Sequence, residues 1–193
     1  MEYQMLICRD PQDGKSRREL FFQAVSLYVR DQEGLEGQNI KLEYTEKGKP
    51  YLTYSDSGQP VNRLQCSISH SGGLWACLLG PKECGLDIQE NRPLDCEKLA
   101  ARFFTEREQQ YVMQEGREGF YQLWCRREAL AKYTGLGFFG MSEKRPELAD
   151  SDILKPSAEW EGRRVWFHEI HLEEGFTAVW CSEGEDDEVR CIR

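Results

Sequence analysis

The sequence contains no run approaching the roughly 18 consecutive apolar residues needed to span a bilayer, so no segment reads as a transmembrane helix. Its first residues, "MEYQMLICRDPQDGKSRREL", lack a basic stretch followed by an apolar core, which argues against a signal peptide. Positive charge is also scarce. The 25 Lys and Arg face 34 Asp and Glu, and the formal net charge is −9. That balance argues against a nucleic acid or an anionic membrane held by global charge. Local basic clusters remain, at Lys15-Ser16-Arg17-Arg18 and at Arg126-Arg127. None of the eight cysteines forms C-x-x-C, so a zinc cage is not expected. Most lie in apolar runs such as "LWACLLG", the pattern of buried free thiols in a reducing cytoplasm. There is no G-x-S-x-G elbow, which counts against a hydrolase built from Ser71, His70 and Asp87. "GLG" at 135–137 follows a helix rather than a strand and is no dinucleotide fingerprint.

What is present is a chain of 193 residues, 39% hydrophobic and 31% charged, enough for one sizeable domain or two small ones. Residues 16–30 space Leu20, Phe21, Ala24, Val25 and Tyr28 as one face of an amphipathic helix. "NIKLEY" predicts a short strand and "KGKPYLTYSDSGQP" a loop with a brief strand. "LQCSISH-SGG-LWACLLG" predicts two strands around a Gly-rich turn, and "ECGLDIQ" a further strand. "PLDCEKLAARFF" predicts a helix capped by Asp95, "TEREQQYVM" starts another, and a third ends near Gly135. Residues 163–182 predict a hairpin, and the acidic tail "EGEDDEVRCIR" is expected to fray. The hairpins around His70 and Gly175 echo each other. The expected fold is therefore α+β, a pseudo-dimer of two similar halves (1–90 and 91–193), each a small, mostly antiparallel sheet packed on helices, with a site between them.

Three positions carry chemistry on the residue reading. Asp87 lies between Leu86 and Ile88, so strand alternation puts it on the opposite face from both. Alone it reads equally as an exposed strand carboxylate. Glu128 sits at the edge of a helix face made by Phe120, Leu123, Trp124 and Ala131, from whose middle Arg127 projects. Its plain alternative is an i,i+4 surface ion pair with Lys132, worth about 0.3–0.5 kcal/mol. Two carboxylates with substrate phosphates are a ligand set that Mg2+ takes. His70, at the Gly-rich turn, reads either as a structural histidine or as a phosphate or ribose donor beside Ser69. Thr105 and Glu108 are spaced as a capping box, which gives Glu108 a structural use.

The ordered set "GKPYL", "SISHSGG", "GLDIQ", "ARFFTERE" and "WCRREALAK" closely resembles the Sfp-type 4′-phosphopantetheinyl transferases over roughly residues 16–180. The resemblance implies a Mg2+-dependent enzyme, with Mn2+ as a substitute. It would transfer 4′-phosphopantetheine from coenzyme A to a serine of an apo acyl or peptidyl carrier protein and release 3′,5′-ADP. It implies a cytoplasmic, monomeric enzyme with no nucleic-acid or membrane partner. Carried over, Asp87 and Glu128 would be metal ligands, and Glu128 the base for the serine proton. Lys132 would hold a phosphate. Arg127 would contact the pyrophosphate, and Lys49, Ser69 and His70 the nucleotide and its 3′-phosphate. Arg18 matches a basic position on the first helix. Two departures stand out. Gln89 replaces the second acid of the family's strand motif, so it would ligate metal weakly or through water. The segment before the first helix is short, which implies weaker affinity for coenzyme A. The alternative reading is a degenerate paralogue that binds coenzyme A or a carrier without turnover.

Overall fold

The computed structural model describes residues 2–30, 39–137 and 153–193. A first strand, β1 (Glu2–Arg9), leads into helix α1 (Gly14–Arg30), whose start Asp13 caps by accepting from the Ser16 amide at 2.8 Å. The strands β2 (Ile40–Tyr44) and β3 (Pro50–Tyr54) pair as a small separate sheet. Next come β4 (Gln65–Ser71) and β5 (Leu74–Gly80), joined by Gly72 and Gly73, both at positive φ. A two-residue turn with both φ positive matches the twist of an antiparallel pair, and glycine adopts it freely. β6 (Gly85–Glu90) precedes α2 (Cys96–Phe103), which Asp95 caps through the Lys98 amide at 3.1 Å. Helix α3 (Glu106–Thr134) follows, and then β7 (Ser157–Trp160), β8 (Arg163–Ile170), β9 (Phe176–Ser182) and β10 (Glu188–Ile192).

Two four-stranded sheets result, ordered β10-β1-β5-β4 and β6-β9-β8-β7. All pairings are antiparallel except β1 with β10. Strand alternation sorts the core into layers. Phe21, Ala24, Val25 and Tyr28 of α1 pack on Trp75, Cys77 and Leu79 of β5. The opposite face of that sheet, with Tyr3, Met5, Ala76 and Leu78, meets Leu86, Ile88, Ala178 and Trp180 of the second sheet. The far face of the second sheet, with Val165, Val179 and Cys181, is covered by α2 and α3. The molecule is α+β, as expected. No helix among the described residues is long and apolar enough to cross a membrane.

Two expectations change. The tail does not end in a frayed segment: residues 188–192 form β10, in register with β1 from Glu2↔Glu188 to Leu6↔Ile192. The acidic charge is concentrated in residues 183–187, before the strand, and the partner edge lies at the other end of the chain. The sheets are also not divided at residue 90. β6 belongs to the second sheet and β10 to the first. The two helices expected after residue 104 are both present within α3: Gly116 (φ 64°, ψ −141°) leaves the helical region and separates them.

Candidate active site at the seam of two sheets

The sheets meet where β4 runs alongside β6. β6 is an edge strand, and the outward amides of Leu86, Ile88 and Glu90 have no partner in its own sheet. Alternate serines of β4 satisfy them. Ser67 Oγ accepts from Leu86 at 2.9 Å, Ser69 Oγ from Ile88 at 3.1 Å, and Ser71 Oγ from Glu90 at 3.0 Å. On the other side, α3 lies against β6 closely enough that a Cβ on Gly85 would stand 1.9 Å from the Ala129 carbonyl oxygen. Glycine at position 85 is therefore what lets the helix approach Asp87.

Asp87 is buried and accepts three hydrogen bonds. Lys132 Nζ donates to Oδ1 at 2.7 Å, Ser69 Oγ to Oδ1 at 3.0 Å, and Gln89 Nε2 to Oδ2 at 3.0 Å. The plain readings of Asp87 as an exposed carboxylate, and of Lys132 as the partner of Glu128, both give way. Lys132 reaches across the seam instead, donating to Ser69 Oγ at 2.9 Å as well. Glu128 is half-buried, and among the described residues no hydrogen bond reaches it. Burial, then the Asp87 charge, push its carboxyl up to about 7, with Lys132 opposing. Gln89 shares the Asp87 face, as alternation requires.

A cavity of about 230 Å³ opens beside this cluster, lined by Lys49, Ile68, Glu128, Lys132 and Gly135. A second, of about 420 Å³, is lined by Arg17, Arg18, Tyr44, His70 and Trp75. Gly48, Pro50 and Ile68 line both, so the two cavities are neighbours. Arg18 also stands over the Phe22 ring, 5.3 Å from its centroid. Burial lowers the His70 pKa, and the neighbouring Arg17 adds to the effect. Arg17 itself is committed to Asp10, donating to both carboxylate oxygens at 2.8 and 2.7 Å.

Three residues assigned to ligands stand elsewhere or are already engaged. Arg127 does not enter the cluster. Its guanidinium is buried in an ion pair with Glu108 and lies over Phe104, 5.4 Å from the ring centroid. Glu108 also completes the capping box, accepting from the Thr105 amide at 2.8 Å. Lys49 lines the smaller cavity with its stem, but its ammonium is bound by Glu83 and by the Tyr133 carbonyl, in the last turn of α3. Carbonyls there are unpaired and attract a cation. Ser69 is buried and occupied by the seam. The serine alternation Ser67, Ser69, Ser71 was the sequence signal of that seam.

The ligand atoms at this point are the oxygens of two carboxylates, Asp87 and Glu128; Gln89 turns its Nε2 to Asp87 and its Oε1 to Ser71, which donates to it at 3.4 Å. Among the described residues no group of three His, Cys, Asp or Glu side chains could hold a metal by itself. Two carboxylates close enough for the charge of one to act on the other suit a hard divalent cation that takes its remaining ligands from phosphate oxygens and water. The residues fit Mg2+ on that condition.

Residues 83–181 match the model of the 4′-phosphopantetheinyl transferase superfamily. That span holds Asp87, Gln89, Glu128 and Lys132; Arg18, Lys49, Ser69 and His70 precede it. The 4′-phosphopantetheinyl transferase psf-1 of Bacillus pumilus is 28% identical over 127 residues, 63% of this chain and 52% of its own length. The 4′-phosphopantetheinyl transferase Sfp of Bacillus subtilis is 28% identical over 107 residues, 53% of this chain and 45% of its own. A Synechocystis protein, slr0495, whose name places it in the same family, is 34% identical over 160 residues, 75% of this chain and 63% of its own. The chain thus spans about half to under two thirds of the relatives it matches.

Proposed function

The chain belongs to the 4′-phosphopantetheinyl transferase superfamily, and on that premise we propose that it transfers 4′-phosphopantetheine from coenzyme A to a serine of an apo acyl or peptidyl carrier protein. The observation that carries this reading is the meeting of Asp87, Lys132 and Glu128, from two elements, beside a cavity that neighbours a second one lined by His70 and Arg18.

In this reading the serine oxygen attacks the β-phosphorus of the coenzyme A pyrophosphate. A new O–P bond forms, the bond to the departing 3′,5′-ADP breaks, and the serine proton passes to Glu128. Charge spreads over the phosphoryl oxygens in such a transfer, so positioning and fixed positive charge supply most of the acceleration. Lys132, already held by Asp87 and Ser69, stands where it can meet the developing charge. His70 and Arg18 take the 3′-phosphate in the second cavity, with Tyr44 and Trp75 as its flat walls. Arg127 has no part, because Glu108 holds it. Asp87 and Glu128 would hold Mg2+ or Mn2+, with Gln89 as a weak or water-bridged ligand, and the ion neutralises the pyrophosphate when bound. The proposal is of a cytoplasmic, monomeric enzyme; free cysteines suit a reducing compartment.

The test is direct. The chain is incubated with coenzyme A, Mg2+ and a panel of apo carriers, and intact mass is measured. A phosphopantetheine adduct on the carrier serine, absent with chelator, is expected. No adduct on any carrier overturns the reading.

A further inference from the structure

We propose that Ser69 is a positioning residue and not a nucleotide ligand: its hydroxyl fixes Asp87 and Lys132 against each other across the seam of the two sheets. The inference rests on the reading that this site carries out the transfer.

The argument is one of satisfied capacity. A serine hydroxyl has one proton to give and two lone pairs to accept with. Ser69 uses all three. Its proton goes to Asp87 Oδ1 at 3.0 Å, one lone pair takes the Ile88 amide at 3.1 Å, and the other takes Lys132 Nζ at 2.9 Å. Nothing remains for a phosphate or a ribose, and the side chain is buried. The arrangement also joins three elements at one atom. The hydroxyl sits on β4, accepts from the backbone of β6, and touches the acid of β6 and the cation of α3. Lys132 has a long, freely rotating stem, and Asp87 alone fixes its ammonium at one point; the Ser69 oxygen supplies the second. Ser67 provides the contrast. It makes the same kind of seam bond, to Leu86 at 2.9 Å, and no hydrogen bond to the acid or the cation.

The experiment compares Ser69→Ala with Ser67→Ala in the full chain. Mn2+ is titrated, with saturating coenzyme A and no carrier, and followed by electron paramagnetic resonance. Partners that orient a ligand are typically worth about tenfold or more in metal affinity. Ser69→Ala should weaken Mn2+ binding by about that factor, and Ser67→Ala by less than about twofold. The second readout is the ratio of KM for coenzyme A to KM for dephospho-coenzyme A. A positioning residue leaves that ratio unchanged while kcat falls. Unchanged Mn2+ affinity together with a loss confined to coenzyme A makes Ser69 a 3′-phosphate ligand and overturns the proposal. Equal effects of the two substitutions on Mn2+ reduce it to a structural seam and also overturn it. If Ser69→Ala does not fold, Ser69→Cys keeps the volume while weakening all three bonds, and the same predictions apply. A wild type that modifies no carrier overturns the functional reading alone, because the Mn2+ comparison still decides the role of Ser69.

Discussion

Asp87 and Glu128 are both acids at one site, but their surroundings differ. Three donors converge on Asp87, from β4, β6 and α3, whereas Glu128 receives none among the described residues and shares the space with a like charge. Replacing either should remove the arrangement that fits a divalent ion. Asp87→Asn and Glu128→Gln are each expected to cut carrier modification by about 10²–10³-fold or more, the scale of one lost transition-state stabiliser. Gln89→Ala should cost about tenfold or less, since water can take the place of a neutral amide. Gln89→Glu should lower the Mg2+ concentration needed for half-maximal rate. The check is carrier modification across a Mg2+ titration. A wild type that modifies nothing, beside a Gln89→Glu variant that does, would instead favour the binding-only paralogue. Arg127 calls for a different measurement. Its pair with Glu108 is buried on both sides, so removing one partner strands a charge, at a cost of about 3–5 kcal/mol. Arg127→Met should therefore lower the denaturation midpoint sharply, and Arg127→Met with Glu108→Leu should recover much of it. In the folded fraction, transfer should fall far less than in Lys132→Met. An equal fall would return Arg127 to the pyrophosphate.

At the scale of elements, the site exists because two strands and a helix approach one another more closely than ordinary side chains allow. Gly85 is the point of closest approach. Gly85→Ala would push a methyl into the Ala129 carbonyl at 1.9 Å and the Tyr133 amide at 2.8 Å, both backbone atoms that cannot rotate away. Overpacking of this kind typically costs about 1–3 kcal/mol. The expected result is a lower Tm and a loss of transfer larger than the unfolded fraction explains, because Lys132 is carried away from Asp87. A Tm and rate equal to wild type would show that α3 does not press on β6 as described. Much of this was legible in the sequence. Strand alternation put Asp87 and Gln89 on one face, and capping chemistry gave the starts of α2 and α3 and the stop at Gly135. Those signals are local, and a few residues determine them. What the sequence hid was pairing between distant residues. A basic side chain in the middle of an apolar helix face looks like a substrate contact. It is recognised as a buried ion pair only when Glu108, on the far side of the Gly116 break, is seen beside it. Lys49 poses the same problem: its motif marks it as a ligand, while its ammonium caps the end of α3.

For the whole molecule, β1 and β10 pair side by side in the first sheet, and the second sheet is sandwiched between that sheet and two helices. This burial reaches His168, which lies on β8 facing the inter-sheet layer. Its ring stacks on Trp180, with centroids 4.3 Å apart, and Nε2 lies 3.1 Å from Ser182 Oγ. Burial lowers its pKa below the ordinary 6.5, and Asp187 and the Gly184 backbone oppose the shift only in part. The sign of the consequence follows from proton counts. Between the folded and unfolded values, the unfolded chain binds the proton and the folded chain does not. Stability therefore rises with pH across that window, and His168 contributes fully only above about 6.5. Falling pH removes that contribution until the folded value is passed. Glu128 works the other way, because its raised carboxyl holds a proton in the folded state that the unfolded chain has released. The wild-type profile is the difference of the two and is flatter than either alone. His168→Gln keeps a polar side chain of similar length without the titration, and Glu128 is common to both proteins, so subtracting their profiles isolates the histidine. Urea midpoints measured from pH 5 to 8 should show wild type losing stability relative to His168→Gln as pH falls below about 6.5, with a constant difference above about 7.5. Parallel profiles over the whole range would mean that the histidine is equally protonated in both states and that the inter-sheet layer around it is open to water.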